Sequence, residues 1–313
     1  MTTTQRIFIV INPKAGSYVA DTVRNTLERD FPRNAGHAEP FCEIHETGHD
    51  EQLVNIVREA CARGFAMVVA AGGDGTVSGV AEGLVGTDVP LGILPLGTAN
   101  VLARELGIPV DLGAACALLA GAHRFARIDA MRVGEHCYFT QVGVGIDAIM
   151  IRDTPTEKKK RFGRLAYIGT ALRSLFGFQP RRFRLTVDGA ELRLRASQVL
   201  VANSGILGQP PLRWGPDIRP DDGRLDVCVV RARNLFDYAM LAWHVVNGQH
   251  RRDHRVRYLT AREGVTIETL SKSLPVQADG EIIGETPVTV KLVASAVEVI
   301  VPADHGADLA PGP

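Results

Sequence analysis

The sequence predicts two domains, an α/β domain built on an open parallel sheet and a mainly antiparallel β domain after it. Up to about residue 125, short apolar runs alternate with segments whose apolar residues recur at helical spacing. From residue 126 onward, β-rich runs are separated by turn residues such as Asp188-Gly189. A chain of 313 residues, 45% of them hydrophobic, is long enough for two cores. We therefore assign residues 1–125 to the first domain and 126–296 to the second, with about 297–313 returning to the first.

Strand and helix patterns take turns along the first domain. They run in the order Ile7–Ile11, Val19/Val23/Leu27, Leu53/Ile56/Val57/Ala60, Ala66–Ala71, Val77/Val80/Ala81/Leu84, Leu91–Leu96 and Val101/Leu102/Glu105. In an open parallel sheet, a ligand binds beyond the carboxyl ends of the strands. Functional residues are therefore expected in the turns that follow these strands.

The second domain carries five strand patterns, two helical patterns and a final apolar run. The strands are expected at Phe183–Val187, Leu192–Val201, Val265–Ile267, Pro275–Ala278 and Val288–Val293. The helices are expected at about 164–177 and 234–247, and Val297–Val301 is the run that would return to the first domain.

Composition excludes several classes of protein. Basic and acidic residues are equal at 35 each, so the chain lacks the strong positive charge of a dedicated nucleic-acid binder. No stretch reaches the roughly 18–20 apolar residues of a membrane-spanning helix, and we expect a cytoplasmic protein. The five cysteines are scattered and predict reduced thiols rather than disulfides or zinc ligands. The segment His45-Glu46-Thr47-Gly48-His49 matches a zinc-protease pattern by chance, since glycine weakens the helix that the pattern needs.

The most informative motif is Gly72-Gly73-Asp74-Gly75-Thr76, which follows a predicted strand and opens a predicted helix. Glycines at such a turn let backbone N–H groups approach phosphate oxygens, and the helix N-terminus adds partial positive charge. Asp74 would repel a bare polyphosphate, so it favours a nucleotide whose Mg²⁺ it reaches directly or through water. A structural turn of glycine and aspartate is the alternative.

Two further turns follow predicted strands. Asn12-Pro13-Lys14-Ala15-Gly16 could close over phosphates with small residues and side-chain donors. In Gly97-Thr98-Ala99-Asn100, Thr98 or Asn100 could donate to a phosphate or cap the next helix. Three such turns at one edge of a sheet predict a phosphate-binding site.

The chain resembles the diacylglycerol kinase catalytic-domain family, which includes bacterial soluble lipid kinases and the sphingosine kinases. Its signatures occur in the family's order over nearly the whole chain: Asn12-Pro13-x-x-Gly16, Thr47-Gly48-His49, Gly72–Thr76, Gly97–Asn100, Gly143-x-Gly145-x-Asp147, Asp222-Gly223-x-Leu225-Asp226 and Asp279-Gly280-Glu281. The resemblance implies a nucleotide domain like that of NAD kinases and diacylglycerol kinases, a β-sandwich-like lipid domain, and a cleft between them. The implied reaction uses ATP and Mg²⁺ to phosphorylate a membrane lipid, first of all diacylglycerol to phosphatidic acid in phospholipid biosynthesis.

Particular residues inherit roles from this resemblance. The nucleotide-binding set is Asn12, Pro13, Lys14, Ala15, Gly16, Thr47, Gly72, Gly73, Asp74, Gly75, Thr76, Gly97, Thr98 and Asn100. Asp279 would be the general base that takes the proton from the acceptor hydroxyl, assisted by Glu281, with Asp74 as the third catalytic residue. Read without the family, Asp279-Gly280 is a hairpin turn. The implied Mg²⁺ site uses the Asp222 carboxylate with the carbonyls of Arg219 and Arg224, and a plain turn is again the alternative.

One position departs from the bacterial pattern, and other activities remain open. Bacterial diacylglycerol kinases commonly carry Asp after Gly-Thr-x-Asn, where this chain has Val101, which is more similar to sphingosine kinases. A sphingoid base or phosphatidylglycerol is therefore an alternative acceptor. An NAD kinase and a catalytically weak nucleotide- or lipid-binding regulator are further alternatives.

We expect peripheral contact with the inner membrane surface and no nucleic-acid partner, and a homodimer stays open. An apolar segment near Leu235–Val246 could dock on a bilayer, but a core-packed helix is the simpler interpretation.

Overall fold

The computed structural model describes residues 6–15, 20–30, 42–48, 51–153, 179–207, 212–215, 217–250 and 253–305. The chain divides into two compact units. One consists of Met1–Ile128 with Ser295–Pro313, and the other is Asp129–Ala294.

Parallel strands alternate with helices in the first unit. In chain order the elements are β1 (Ile7–Ile11), α1 (Ala20–Asp30), β2 (Cys42–Glu46), α2 (Leu53–Ala62), β3 (Met67–Gly72), α3 (Asp74–Leu84), β4 (Leu91–Pro95), α4 (Val101–Glu105) and α5 (Leu112–Ala120). The strands pair in the order β2-β1-β3-β4, all parallel. Strands β1 and β4 are buried at every residue, as expected for a parallel sheet covered on both faces. On one face, Val23 of α1 and Leu112 of α5 pack against Ile9 and Val69.

Antiparallel strands build the second unit. Continuing along the chain, the elements are β5 (His123–Val133), β6 (His136–Tyr138), β7 (Gln141–Gly145), α6 (Ile146–Asp153), β8 (Arg181–Val187), β9 (Ala190–Ala196), β10 (Gln198–Ala202), β11 (Leu225–Val230), α7 (Leu235–Val246), β12 (Val256–Ala261), β13 (Gly264–Thr269), β14 (Pro275–Ala278), β15 (Glu281–Glu285) and β16 (Val288–Pro302). One sheet has the order β12-β11-β10-β7-β14-β15. The other pairs β9, β8, β13 and the first half of β16.

A single core joins the two sheets of the second unit. It contains Val142 and Val199 from the first sheet and Phe183 and Val265 from the second. Side chains from two sheets that share one core make a sandwich. The observed fold therefore confirms the predicted class, an α/β domain with a parallel sheet and an antiparallel β-sandwich domain.

Individual elements differ from the prediction in two places. The run Leu192–Val201 is two strands, β9 and β10, because the chain breaks at Ser197, whose N–H and hydroxyl both donate to the carbonyl of Val230. The runs Val288–Val293 and Val297–Val301 are one long strand, β16, whose Val299 pairs in parallel with Leu91 of the first unit's sheet. The helix expected at about 234–247 is α7, whereas the one expected at about 164–177 lies outside the described residues.

Within the described ranges, no helix is both long enough and apolar enough to cross a bilayer.

Candidate active site

Four loops of the first unit lie together at the carboxyl edge of its parallel sheet. Backbone hydrogen bonds tie them to one another: Asn12 N–H donates to the carbonyl of Ala71 (2.9 Å), and Thr47 N–H donates to that of Ile11 (2.8 Å). Leu96 N–H likewise donates to the carbonyl of Gly72 (2.9 Å). We call the residues 12–15, 47, 72–76 and 97–100 the loop cluster. It unites the described nucleotide-binding residues predicted from the sequence, while Gly16 lies outside the described residues.

Glycine is required at the end of β3 by a close approach. A Cβ atom on Gly72 would lie 2.5 Å from the Cβ and Oγ1 atoms of Thr76, which is buried in the first turn of α3. The strand can therefore turn directly into the helix only because Gly72 has no side chain. The turn places the N-terminus of α3 at the edge of the sheet.

The N-terminus of α3 offers uncapped backbone donors. Gly73 occupies the N-cap position in an extended conformation and has no side chain to cap the helix. The first N–H groups of any helix have no partner within it. Gly75 is exposed, and a Cβ built there would meet nothing within 4 Å. This eleven-residue helix thus presents open N–H groups and the positive end of its dipole, which suit a phosphate.

The two glycine turns touch each other. A Cβ atom on Gly97 would lie 2.7 Å from the Cα atom of Gly73 and 2.7 Å from Oδ1 of Asn100. If position 97 carried a larger residue, the two turns could not lie this close together. The contact fixes the third predicted phosphate loop against the second.

Asp74 joins the same two turns by hydrogen bonds. Its Oδ2 accepts from the N–H of Asn100 (3.0 Å), and its Oδ1 accepts from the N–H of Val101 (2.6 Å). The carboxylate therefore caps α4 from outside that helix. Each carboxylate oxygen has a second acceptor position, so the geometry is compatible with the predicted contact to Mg²⁺, which stays a prediction.

Asn100 is used within its own loop. It has left-handed backbone angles (φ 48°, ψ 49°), and its buried side chain accepts from Gly97 N–H (2.9 Å) and donates to the carbonyl of Gly97 (3.0 Å). Asparagine tolerates this conformation better than most residues. Asn100 thus shapes the loop, whereas Thr98 beside it is exposed.

The loop after β1 is held by Asn12. Its Nδ2 lies 3.4 Å from Oγ1 of Thr76, and its Oδ1 accepts from Lys14 N–H (2.9 Å). Pro13 and Lys14 are exposed, and Ala15 is half-buried. Asn12 therefore links the first and second predicted phosphate loops, and leaves the Lys14 side chain at the surface.

In the second unit, Asp279 lies in the turn between β14 and β15. Asp279 and Gly280 both have positive φ (44° and 90°), as in the tight turns that close hairpins. The carboxylate of Asp279 accepts from the N–H groups of Phe139, Thr140 and Gln141 (2.9, 3.0 and 3.1 Å) and from the Thr140 hydroxyl (2.6 Å). Four donor groups therefore hold the carboxylate in one orientation. Glu281, at the start of β15, is exposed.

A buried polar network lies next to this turn. Gln277 is fully buried; its Nε2 donates to Oδ2 of Asp147 (3.0 Å), and its Oε1 accepts from Gly280 N–H (3.1 Å). Asp147 also accepts from Ala148 N–H (2.7 Å). A Cβ atom on Gly143 would lie 2.0 Å from Oδ2 of Asp147, so the signature glycine leaves room for the carboxylate. The network connects α6 to the turn that carries Asp279.

The comparisons with known proteins agree with this geometry. Residues 6–133 match the diacylglycerol kinase catalytic domain, and residues 140–301 match the YegS C-terminal NAD kinase beta sandwich-like domain. The chain belongs to the diacylglycerol kinase family of lipid kinases. This lipid kinase is 27% identical over 309 residues to a diacylglycerol kinase from Bacillus subtilis (strain 168), covering 97% of this chain and 99% of the relative. It is 29% identical over 265 residues to a diacylglycerol kinase from Mycobacterium tuberculosis (strain ATCC 25618 / H37Rv), covering 82% and 83%.

A solved structure shares the fold of the lipid kinase. A diacylglycerol kinase from Bacillus anthracis str. Sterne superimposes with a TM-score of 0.71 at 21% identity, covering 96% of this chain and 98% of that one. Both predicted halves, α/β and β-sandwich-like, fall within the matched region.

Asp222 is the residue of the lipid kinase that best fits a divalent cation. Both of its carboxylate oxygens are buried, and their neighbours are the backbone N–H of Arg224 and its side chain, whose Nε lies 2.9 Å from Oδ2. Burial raises the pKa of Asp222 against the opposing charge of Arg224. Such a carboxylate would be stabilised by a hard cation with oxygen ligands. In the described parts of the chain, no three His, Cys, Asp or Glu side chains cluster as a metal site, so backbone carbonyls would complete the coordination, as predicted for Arg219 and Arg224.

Three residues that lie beside Asp222 or hold the turn of Asp279 were not predicted from the sequence. Asp129 is buried, and its Oδ2 accepts from Gly223 N–H (2.7 Å) beside Asp222. Thr140 and Gln277 hold the Asp279 turn, as described above. The only local signal was a polar residue within an apolar run, such as Gln277 between Val276 and Ala278. That pattern identifies a buried polar side chain but not its partner.

Proposed function

We propose that this lipid kinase transfers the γ-phosphoryl group of ATP to the free hydroxyl of diacylglycerol, with Mg²⁺, to give phosphatidic acid. The observation that carries the nucleotide half is the loop cluster, in which two touching glycine turns lie beside the uncapped N-terminus of α3. The choice of diacylglycerol is supported by the relatives named diacylglycerol kinase, one of which is matched over nearly its whole length. We place the reaction at the cytoplasmic membrane surface.

Each part of the chain has a role in this reaction. N–H groups at the start of α3 would bind phosphate oxygens, and Asp74 keeps the turn at Gly97 in register with that helix. Bound Mg²⁺ would neutralise phosphate charge in the transition state. Asp279 would accept the hydroxyl proton while the acceptor oxygen bonds to the γ-phosphorus and the bond to ADP breaks. The four donors to Asp279 keep its carboxylate oriented for that transfer.

The departure at position 101 supports a second candidate acceptor. The N–H of Val101 is used by Asp74, but its side chain supplies no carboxylate where bacterial diacylglycerol kinases commonly have one. A sphingoid base is therefore the alternative substrate. Diacylglycerol and a sphingoid base differ as acceptors of the phosphoryl group, and the proposed nucleotide-binding site is the same for both.

A labelled-phosphate assay tests the proposal. Purified protein with Mg²⁺ and γ-labelled ATP is offered diacylglycerol, a sphingoid base, phosphatidylglycerol or NAD, each in separate mixed-micelle or aqueous reactions. We expect label in phosphatidic acid, and about 10²–10⁴-fold slower labelling when Asp279→Asn replaces the wild type. Preferential labelling of another acceptor would overturn the choice of diacylglycerol. ATP binding without label in any acceptor would indicate a regulator instead of an active kinase.

A further inference from the structure

Helix α7 has two opposite apolar faces. Leu241 and Val245 pack into a small core with Val230, Ala232 and Val256 of the second unit. The opposite face is formed by Phe236, Ala239, Trp243 and Val246, spaced three or four residues apart. We call these four residues the α7 stripe. One face of α7 therefore packs into the core, as the simpler interpretation of the sequence predicted. The opposite face does not.

The α7 stripe is unusually exposed for its composition. Phe236 is 67% exposed, and Trp243 and Val246 are each 63% exposed. Large apolar side chains that share one exposed face mark a surface that meets another apolar phase. Phe and Trp are also the residues that favour the boundary between water and lipid.

The charges around α7 are positive. Among the described residues of 231–257 there are four arginines and two aspartates. The two aspartates share one arginine: Asp237 and Asp253 both pair with Arg255 (2.9 and 3.2 Å), and Asp253 also lies 2.7 Å from His244. Arg233, the residue before the N-cap of α7, is exposed and makes no ion pair with any described residue. The α7 stripe thus has a basic fringe, Arg231 and Arg233, at the N-terminal end of the helix.

We propose that the α7 stripe is the surface by which this kinase docks on an anionic lipid bilayer, with Phe236 and Trp243 inserted at the level of the headgroups. The inference rests on the proposed function, since it names the partner that presents the lipid acceptor. A basic fringe attracts anionic headgroups, while the aromatic side chains gain by leaving water. A second copy of the chain is a poorer occupant, because a two-fold contact would bring the arginines of both fringes together.

Tyr238 of α7 lies within electrostatic range of Asp147 in the second unit. Burial raises the pKa of Tyr238 to about 12, and the negative charge of Asp147 adds to that rise, so the two side chains are electrostatic neighbours. Asp147 bonds to Gln277, which bonds to the turn of Asp279. Within the second unit, the docking helix therefore lies within electrostatic range of the polar network that holds the turn of Asp279.

Trp243 provides a direct test. The chain has two tryptophans, so Trp214→Phe leaves Trp243 as the only one. Its fluorescence is followed on addition of phosphatidylcholine vesicles with or without about 30 mol% phosphatidylglycerol, a content that gives an anionic surface. We expect a blue shift with anionic vesicles, weakened by high salt because the attraction is screened. An unshifted spectrum with saturating anionic vesicles would overturn the proposal, and this readout needs no change to the stripe.

Sedimentation with the same vesicles tests the stripe by substitution. Phe236→Ser with Trp243→Ser should reduce binding to anionic vesicles at least about tenfold, since two aromatic anchors are lost. The matched control is Phe125→Ser, which changes a 51% exposed phenylalanine in the first unit and should bind as the wild type does. Equal binding of the double variant would contradict the proposal, and so would a dimer in solution that the double variant abolishes. Thermal unfolding checks that the variants are folded.

The docking surface and the proposed function can fail separately. A kinase that labels micellar lipid while Trp243 stays in water would refute docking and keep the function. Insertion of Trp243 without label in any lipid would refute the function and keep the docking surface. We expect the double variant to phosphorylate short-chain, monomerically dispersed diacylglycerol at the wild-type rate and to lose activity on vesicles.

Discussion

Gln277 donates a hydrogen bond to Asp147 from 130 residues further along the chain (Nε2 to Oδ2, 3.0 Å). The Asp147 carboxyl group is removed from water, and this burial raises its pKa to about 6 in spite of the hydrogen bonds from Gln277 and Ala148. A carboxyl group that titrates near neutrality therefore supports the turn of Asp279 in this lipid kinase. Its protonation gives the first prediction.

Asp147 should make stability depend on pH. Its folded pKa of about 6 exceeds the ordinary 3.8, so the folded chain binds this proton more tightly than the unfolded chain does. The contribution is fully present below about pH 4 and is lost as pH rises to about 6. We expect the free energy of unfolding of the wild type, relative to Asp147→Asn, to fall by roughly 2–3 kcal/mol across that window and then to level off. Urea denaturation at a series of pH values measures it.

A difference between the wild type and Asp147→Asn that stays flat from pH 4 to 7 would show that Asp147 does not titrate in this range.

Asp279→Asn should lower kcat by about 10²–10⁴-fold, the usual effect of removing a general base. The amide has nearly the same shape, so most of the turn should persist and KM for ATP should change little. Thr140→Val is the matched control, because it removes the hydroxyl donor at 2.6 Å but leaves the carboxylate. We expect a loss of less than about tenfold for it, since Thr140 orients Asp279 and does not accept the proton. Full activity of Asp279→Asn would show that the base lies elsewhere.

Gly75→Ala should separate stability from nucleotide binding. A Cβ at position 75 meets nothing within 4 Å, and alanine favours a helix over glycine, so the free energy of unfolding should rise by about 0.5–1 kcal/mol. The same methyl group would occupy the space in which a phosphate meets the N–H groups of α3, so ATP affinity should fall at least about tenfold, a loss of at least about 1.4 kcal/mol. Gly113→Ala in α5 is the control and should be stabilising without any effect on ATP. Unchanged ATP affinity for Gly75→Ala would argue against phosphate binding at α3.

Asp74→Ala should weaken ATP binding in a way that reveals its role. The variant removes the acceptor for the N–H groups of Asn100 and Val101, so both glycine turns lose their register. If Asp74 also reaches Mg²⁺, calorimetry should show a larger loss of affinity for MgATP than for ATP without Mg²⁺. Equal losses would limit Asp74 to its structural role. No loss in either condition would contradict the loop cluster as the nucleotide site.

Asp222→Asn should abolish the gain in thermal stability that Mg²⁺ gives the wild type. In the absence of metal the melting temperature should change little, because the substitution relieves the desolvation of a buried carboxylate but also removes its ion pair with Arg224. The wild type should gain thermal stability on addition of Mg²⁺, and the variant should not, because the charged ligand is gone. A wild type that shows no stabilisation at millimolar Mg²⁺ would contradict a cation site at Asp222.

Local patterns predicted the elements of this fold well, because each depends on residues near one another in sequence. Strand β1 is a run of five apolar residues, and it is buried throughout. The turn at Gly72–Thr76 was predicted because glycine between a strand and a helix permits a close approach of the backbone that a side chain would block. The break at Ser197 was not predicted, since it depends on the carbonyl of Val230 in a neighbouring strand.

Partners distant in sequence explain what the patterns missed in the site. The sequence singled out Asp74, but its bonds to Asn100 and Val101 join residues 26 and 27 positions apart. Asp129 and Gln277 were overlooked because a single polar residue in a strand carries no mark of its partner. Asp279 was found through the family signature, while the four donors that hold it lie about 140 residues away.

The long strand β16 makes the first unit depend on residues synthesised late. Its buried Val299 and Ile300 belong to the first unit, and Val299 pairs with Leu91 of β4. During synthesis on the ribosome, the hydrogen-bonding edge of β4 stays unpaired until the second unit has been made, because Val299 and Ile300 come after that unit in the chain. Such an edge is a template for intermolecular pairing. Nascent chains halted before β16 should therefore recruit chaperones or aggregate, and fragments that end near residue 128 should be poor substitutes for the intact kinase.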